Sequence, residues 1–354
     1  MTLLRSAFSK KTLLVVLAGL CLGGSAIAQN DLSRRGTGGR QIAESHTLKL
    51  GATSIQVDFA EGALDLGRPA VLDWVRNAAQ AVSTYYGRFP VKTVRVLILP
   101  EAGRDGVFHG TTWGNRGGFL GFTRISVGQK TTAQQLADDW MMTHELTHMA
   151  FPDLPDENHW MEEGIATYVE PIARVQAGEL DAKRIWPDMM DGMPKGEPKP
   201  GDEGLNRTHT WGRTYWGGAL FCLVADVTIR KETKNRKGLE DALRAIAAAG
   251  GTIDKEWPLE RALEIGDQAT GTHVLMTMYH EWSQHPVEVD LPALWNALGV
   301  RSAGETVEFD SAAPLARVRS AIFSRRGRFG QAEGLVHPTK PAARICQVLG
   351  VPSS

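Results

Sequence analysis

The stretch HELTH, residues 144–148, sets two histidines four apart, with a glutamate beside the first, in a chain of 354 residues that has 10 histidines in all. On an α-helix, residues four apart stand one above the other, so His144 and His148 present their imidazoles to a single ion. Glu145 lies about 100° round the helix from His144, which keeps it off the metal and beside a water held there. Two histidine ligands and a carboxylate that takes the water's proton are parts of a zinc-dependent hydrolytic site. The motif falls in QQLADDWMMTHELTHMAF (134–151), which reads as helix. The plainer alternative is a surface helix with two solvated histidines.

A catalytic zinc needs a third protein ligand and one open position. A glycine three residues and a histidine six residues after His148 would supply one pattern, but Phe151 and Leu154 stand there. The next candidate is HWMEEGIATYVE (159–170), which starts a helix after the breakers Pro152 and Pro155. At about 1.5 Å per residue, the chain leaves the histidines and returns by similar lengths. Glu163 then faces them across a helical hairpin. Glu162 and His159 are the alternatives for that position.

HELTH followed by WMEEGIATYVE (160–170) resembles the gluzincin metallopeptidases, in particular the aminopeptidase N and glycyl aminopeptidase families, and the pentapeptide itself occurs in thermolysin-like enzymes. The resemblance implies a zincin-like catalytic domain, with a small mixed sheet and an active-site helix. It implies Zn2+ held by His144, His148 and Glu163, and Glu145 as general base. Glu170 would stand behind the ligands and hold a histidine in its tautomer. RTYWGGALFCLVADVTIR (213–230) resembles the segment whose tyrosine steadies the tetrahedral intermediate, which maps onto Tyr215, with His209 in reserve. The likeness covers residues 134–232 at most.

Three departures qualify it. Only 14 residues separate His148 from Glu163, a shorter connection than that group carries. Gly217 stands where a lysine follows the tyrosine. No G-x-M-E-N segment, the element that binds a substrate's free amino terminus, precedes the helix, so aminopeptidase activity is not implied. In its place stands GGFLGFTRISVG (117–128), a candidate edge strand for pairing with an extended peptide.

The rest of the chain reads as α+β and then mainly α. HTLKLGATSIQVDF (46–59) alternates as strands do, residues 69–88 form an amphipathic helix, and VKTVRVLIL (91–99) is a strand. Helical patterns follow at 157–178, 211–232, 238–249, 258–284 and 312–324. The expected organisation is a signal peptide over 1–28, a disordered segment over 29–45, the zincin part over 46–185, a loop or lid over 186–206, a helical part over 207–325 and a tail over 326–354. The four prolines and four glycines of 186–206 argue against a regular element there.

Residues 1–28 carry Arg5, Lys10 and Lys11, an apolar run (12–22) too short to span a bilayer, and the small-x-small ending Ala26-Ile27-Ala28. That predicts export, to the periplasm or beyond. A formal net charge of −1 implies no basic field for nucleic acid or anionic lipid. The expected partner is a peptide or protein substrate, with no stable membrane insertion. Cys222 and Cys346 remain after cleavage; a disulfide between them and a buried structural thiol at Cys222 are both open. Tyr168 reads as core, the pair His280-Glu281 as a solvated helix end, and packing accounts for most of the tryptophans near the motif, Trp113, Trp160, Trp211 and Trp216.

Two functional classes follow. One is an exported zinc metallopeptidase; the other is a non-catalytic envelope protein that keeps the scaffold and binds peptide or metal. Glu145 separates them, because a binding protein needs no general base.

Overall fold

The computed structural model describes residues 40–324 apart from 305. The expected signal peptide, the residues up to 39 of the segment expected to be disordered, the tail and Cys346 lie outside the described residues. Ile42–Leu50 (β1) already pairs with Thr53–Ala60 (β2), so strand replaces the expected disorder from Ile42 onward.

Val107–Arg116 (β4) and Phe119–Gly128 (β5) form a hairpin beside Thr93–Glu101 (β3), giving a five-stranded sheet in the order β1-β2-β3-β5-β4. β2, β3 and β5 are parallel neighbours, while β1 and β4 pair antiparallel at the two edges. Strand alternation sends Ile55, Val57, Phe59, Val94, Val96 and Ile98 to one face, where all are buried. On the other face Asp58 accepts from Arg95, Gln56 and Ser45.

Against the apolar face packs Arg68–Tyr86 (α1), which buries Val71, Val75, Ala78, Ala79 and Val82 and ends on Gly87 in the left-handed conformation, φ 80°. The helix expected through 151 is in fact two, Ala133–Asp138 (α2) and Met141–His148 (α3). The break has a local cause. Asp139 is extended, and its carboxylate accepts from the Met142 amide at 3.2 Å, so a side chain competes for the backbone and starts a new helix.

His159–Ala177 (α4) follows and packs against α3. The loop expected over 186–206 needs correcting. Its first half belongs to Ala182–Gly192 (α5) and a 3-10 turn, Met193–Gly196. Pro187 removes one helical bond, but α5 is capped by Asp181 and buries Ile185, Trp186 and Met189. The second half is tied down: Asp202 pairs with buried Arg213 at 2.8 Å, and the Leu205 amide donates to Trp282 O at 2.9 Å.

A π-helical turn, Gly212–Gly217, leads into Gly218–Glu232 (α6), and Leu239–Ala248 (α7), Leu259–Thr270 (α8) and Val274–Trp282 (α9) follow. Gly271 divides the helix expected over 258–284, and both Asp267 carboxylate oxygens accept from the first amides of α9. Leu291–Leu298 (α10), a small hairpin of Val300–Ala303 (β6) and Thr306–Phe309 (β7), and Ala316–Phe323 (α11) complete the helical part. Among the described residues no helix is long and apolar enough to cross a membrane.

Candidate metal centre

α3 lies under the sheet edge with His144 and His148 on one face, their ring centroids 4.9 Å apart and nearly perpendicular. α4 brings Glu163 across to them: its Oε2 stands 3.0 Å from His144 Nε2 and 3.6 Å from His148 Nε2. The three donor atoms lie within 4.8 Å of one another, and no other such group of histidine, cysteine or carboxylate donors occurs among the described residues. Ligands about 2.0–2.1 Å from a tetrahedral zinc are spaced about 3.3 Å apart. The two Glu163–histidine separations bracket that value, and two imidazoles with one carboxylate are a donor set that zinc takes.

α4 and α6 cross in backbone contact. A Cβ on Gly164 would run into Gly218, with its carbonyl oxygen at 2.8 Å, and one on Gly218 would lie 2.7 Å from Gly164 Cα. Neither residue can carry a side chain without parting α4 from the helix that follows the π-turn. Glu163 and Tyr215 sit one and three residues before these contact points, so the same crossing aims both at the histidines. The Tyr215 ring lies 6.3 Å from that of His144 at an interplanar angle of 22°, and its hydroxyl faces Glu163.

Glu145 points the other way, towards β4. Thr112 Oγ1 donates to its Oε2 at 2.7 Å, and the Thr123 hydroxyl, 2.8 Å from Thr112 Oγ1, completes a donor chain. β4 bulges between Phe108 and Thr111, with His109 at φ 50°, and there Gly110 lies directly over the Glu145 side chain.

Burial raises the Glu145 carboxyl above its ordinary value, opposed by His148 and Thr112 and reinforced by Glu163. Burial also acts to raise Glu163, but the facing His148 and His144 outweigh it and hold the carboxyl at about 2. Tyr215 is pushed up to about 12 by burial and by the Glu163 and Glu145 carboxylates.

Of the sequence candidates, His144, His148, Glu163 and Tyr215 come together, and Glu145 adjoins His144 on α3 with its carboxylate turned to Thr112. Glu162 turns away: it accepts from the Leu154 amide at 3.1 Å and from His159 Nδ1 at 3.0 Å. His159 reaches only the outer oxygen of Glu163, 3.4 Å from its Nε2. His209 is exposed in the loop before the π-helix. Glu170 does not stand behind a histidine as expected. It pairs with Arg174 at 3.0 Å, one turn along α4, and burial lifts its carboxyl to about 7 against the pull of that arginine.

The candidate edge strand also needs correcting. GGFLGFTRISVG is interior, bonded to β3 on one side and β4 on the other; the edge is β4, because Gly117 and Gly118, both at positive φ, turn the hairpin just before Phe119. Tyr168 is buried as expected and donates to Asp226 at 2.9 Å. Cys222 is buried too. Sequence reasoning missed Gly110 and Thr112, which hold Glu145, and Trp140, whose ring meets His144 edge-on at 5.2 Å. The signal for Trp140 was its position one helical turn before His144.

No protein-family model and no curated protein sequence matches this chain. Its fold is similar to that of an aminopeptidase N family protein from Idiomarina loihiensis, with a TM-score of 0.54, 12% identity, and coverage of 73% of this chain and 49% of that one. An M1 zinc metallopeptidase from Deinococcus radiodurans gives a TM-score of 0.45 at 17% identity, covering 72% of this chain and 53% of that one. The chain thus spans about half the length of these proteins. The likeness is one of fold: a mixed five-stranded sheet, with helices beneath it and a helical C-terminal part.

Proposed function

We propose that this chain is an exported zinc metallopeptidase that hydrolyses peptide bonds, with His144, His148 and Glu163 as ligands, Glu145 as general base and Tyr215 as donor to the oxyanion. The observation that carries the reading is the grouping of His144, His148 and Glu163 from two helices, with Glu163 3.0 and 3.6 Å from the two histidines and the Tyr215 ring over His144. A bound zinc would supply a Lewis acid that polarises the substrate carbonyl and eases deprotonation of a neighbouring water.

The chain's own groups do the rest. Thr112 occupies Glu145 Oε2, which leaves Oε1 to take the proton from the water. Burial raises the Glu145 carboxyl, which suits it to hold that proton and then hand it to the departing amine. Tyr215, pushed up to about 12, keeps its proton through the neutral range and so has an O–H to give to the oxyanion. One such donor is worth about 3 kcal/mol, roughly a hundredfold in rate.

The test compares zinc-loaded wild type with Glu145→Gln on a mixture of quenched fluorescent peptides, with zinc content measured on both. The reading requires hydrolysis by wild type and a loss of about three orders of magnitude in a variant that keeps its metal. Equal turnover by both would remove Glu145 from the chemistry, and no turnover by either would favour the non-catalytic binding protein.

A further inference from the structure

Two large apolar side chains stand open to solvent among the described residues, Trp140 at 49% exposure and Trp211 at 62%. Both belong to the metal centre. Trp140 is one helical turn before His144 and meets its ring edge-on at 5.2 Å; Trp211 is one turn before Tyr215 and stacks on it at 5.8 Å, with an interplanar angle of 27°. Tyr215 in turn lies over His144. The four rings make one continuous row, with an open indole at each end and the candidate ligand and oxyanion donor in the middle.

Tryptophans elsewhere are treated differently. Trp160 and Trp186 are core residues, and Trp113 and Trp257 lie under the guanidinium groups of Arg116 and Arg261. Trp140 and Trp211 have no such cover among the described residues. Leaving an indole bare forgoes the free energy of burying it, and two bare indoles joined through the rings of His144 and Tyr215 form a contiguous apolar surface of the kind that receives a ligand. The Glu145 carboxylate, in contrast, is held by polar partners, Thr112 and behind it Thr123.

We propose that Trp140 and Trp211 are specificity residues that receive an apolar, preferably aromatic, side chain of the substrate residue next to the scissile bond. The inference rests on the zinc-peptidase reading and names its substrate class. Zinc would offset the charges of Glu145 and Glu163, and the flat faces of the row select for a ring.

The test is binding, by calorimetry, of three metal-directed probes to the zinc-loaded chain: acetohydroxamate, hydrocinnamoyl hydroxamate and an ε-aminocaproyl hydroxamate. The aromatic probe should bind at least about tenfold more tightly than the methyl probe, the expected gain from half-burying a benzyl group. Trp140→Ala and Trp211→Ala should each shrink that ratio, which cancels any change in hydroxamate affinity common to the probes. Both residues are exposed, so the variants keep their core. No aromatic preference, a larger preference for the cationic probe, or a preference that survives in both variants overturns the proposal. Failure of all three probes to bind overturns instead the metal site beneath it.

Discussion

Gly110→Ala adds one methyl group at the sheet edge, and the structure says where it goes. The new Cβ would lie 2.7 Å from Glu145 Cγ and 2.8 Å from Cδ, and closest to Oε1. Carbon atoms in contact sit about 3.5 Å apart, so the glutamate must retreat by roughly 0.8 Å. Gly110 is not in the left-handed region, so its backbone accepts alanine without strain. The displaced atoms are a side chain that can swing, and the damage falls on the position of the carboxylate and on its bond from Thr112. A misplacement of about 1 Å at a reacting group costs about a hundredfold in rate, or about 2.7 kcal/mol of barrier. The expected outcome is a kcat about a hundredfold lower on fluorescent peptides, with zinc content unchanged and a melting temperature within a few degrees of wild type. Full activity in Gly110→Ala would show that Glu145 has no fixed task there, and loss of zinc together with activity would show that the strand shapes the metal site instead.

Gly164→Ala acts on the fold, because its Cβ meets the backbone of Gly218, which cannot swing aside. Overpacking of this kind costs about 1–3 kcal/mol, read as a lower midpoint in urea, with weakened zinc binding as Glu163 and Tyr215 move apart; an unchanged midpoint would contradict the close crossing. Glu170 supplies a pH signature. Its carboxyl is raised from 4.5 to about 7 in the fold, so the native state binds the extra proton; the stability this gives is fully present below pH 4.5 and is lost as pH rises through 7. At about 1.4 kcal/mol per unit, the loss is about 3.5 kcal/mol. Glu170→Gln should flatten the dependence of unfolding free energy on pH between 5 and 7.5, and a variant with the wild-type slope would remove Glu170 as its source.

HELTH was legible because chemistry fixes its spacing, two candidate ligands one helical turn apart, and Glu163 stood out from Glu162 and His159 through the resemblance of WMEEGIATYVE to the gluzincin segment. The structure adds the reason for Gly164, contact with Gly218, which no local pattern displays. α1, α4 and α7 showed plain apolar periodicity. α5 was hidden by Pro187 and its neighbouring glycines, since tertiary burial of Trp186 and Met189 outweighs local propensity. The edge strand was misplaced by one hairpin arm because strand order depends on pairings that periodicity does not encode. Glu170 was misread because motif position cannot reveal that Arg174, four residues on, takes its carboxylate.

The most direct measurement is the zinc content of the purified chain, wild type beside Glu163→Ala, by elemental analysis after dialysis against a weak chelator. The account predicts one zinc per wild-type chain and a clear loss in the variant, because Glu163 supplies the third donor at 3.0 and 3.6 Å from the two histidines. Wild type without tightly held zinc, or equal zinc in both proteins, would contradict it.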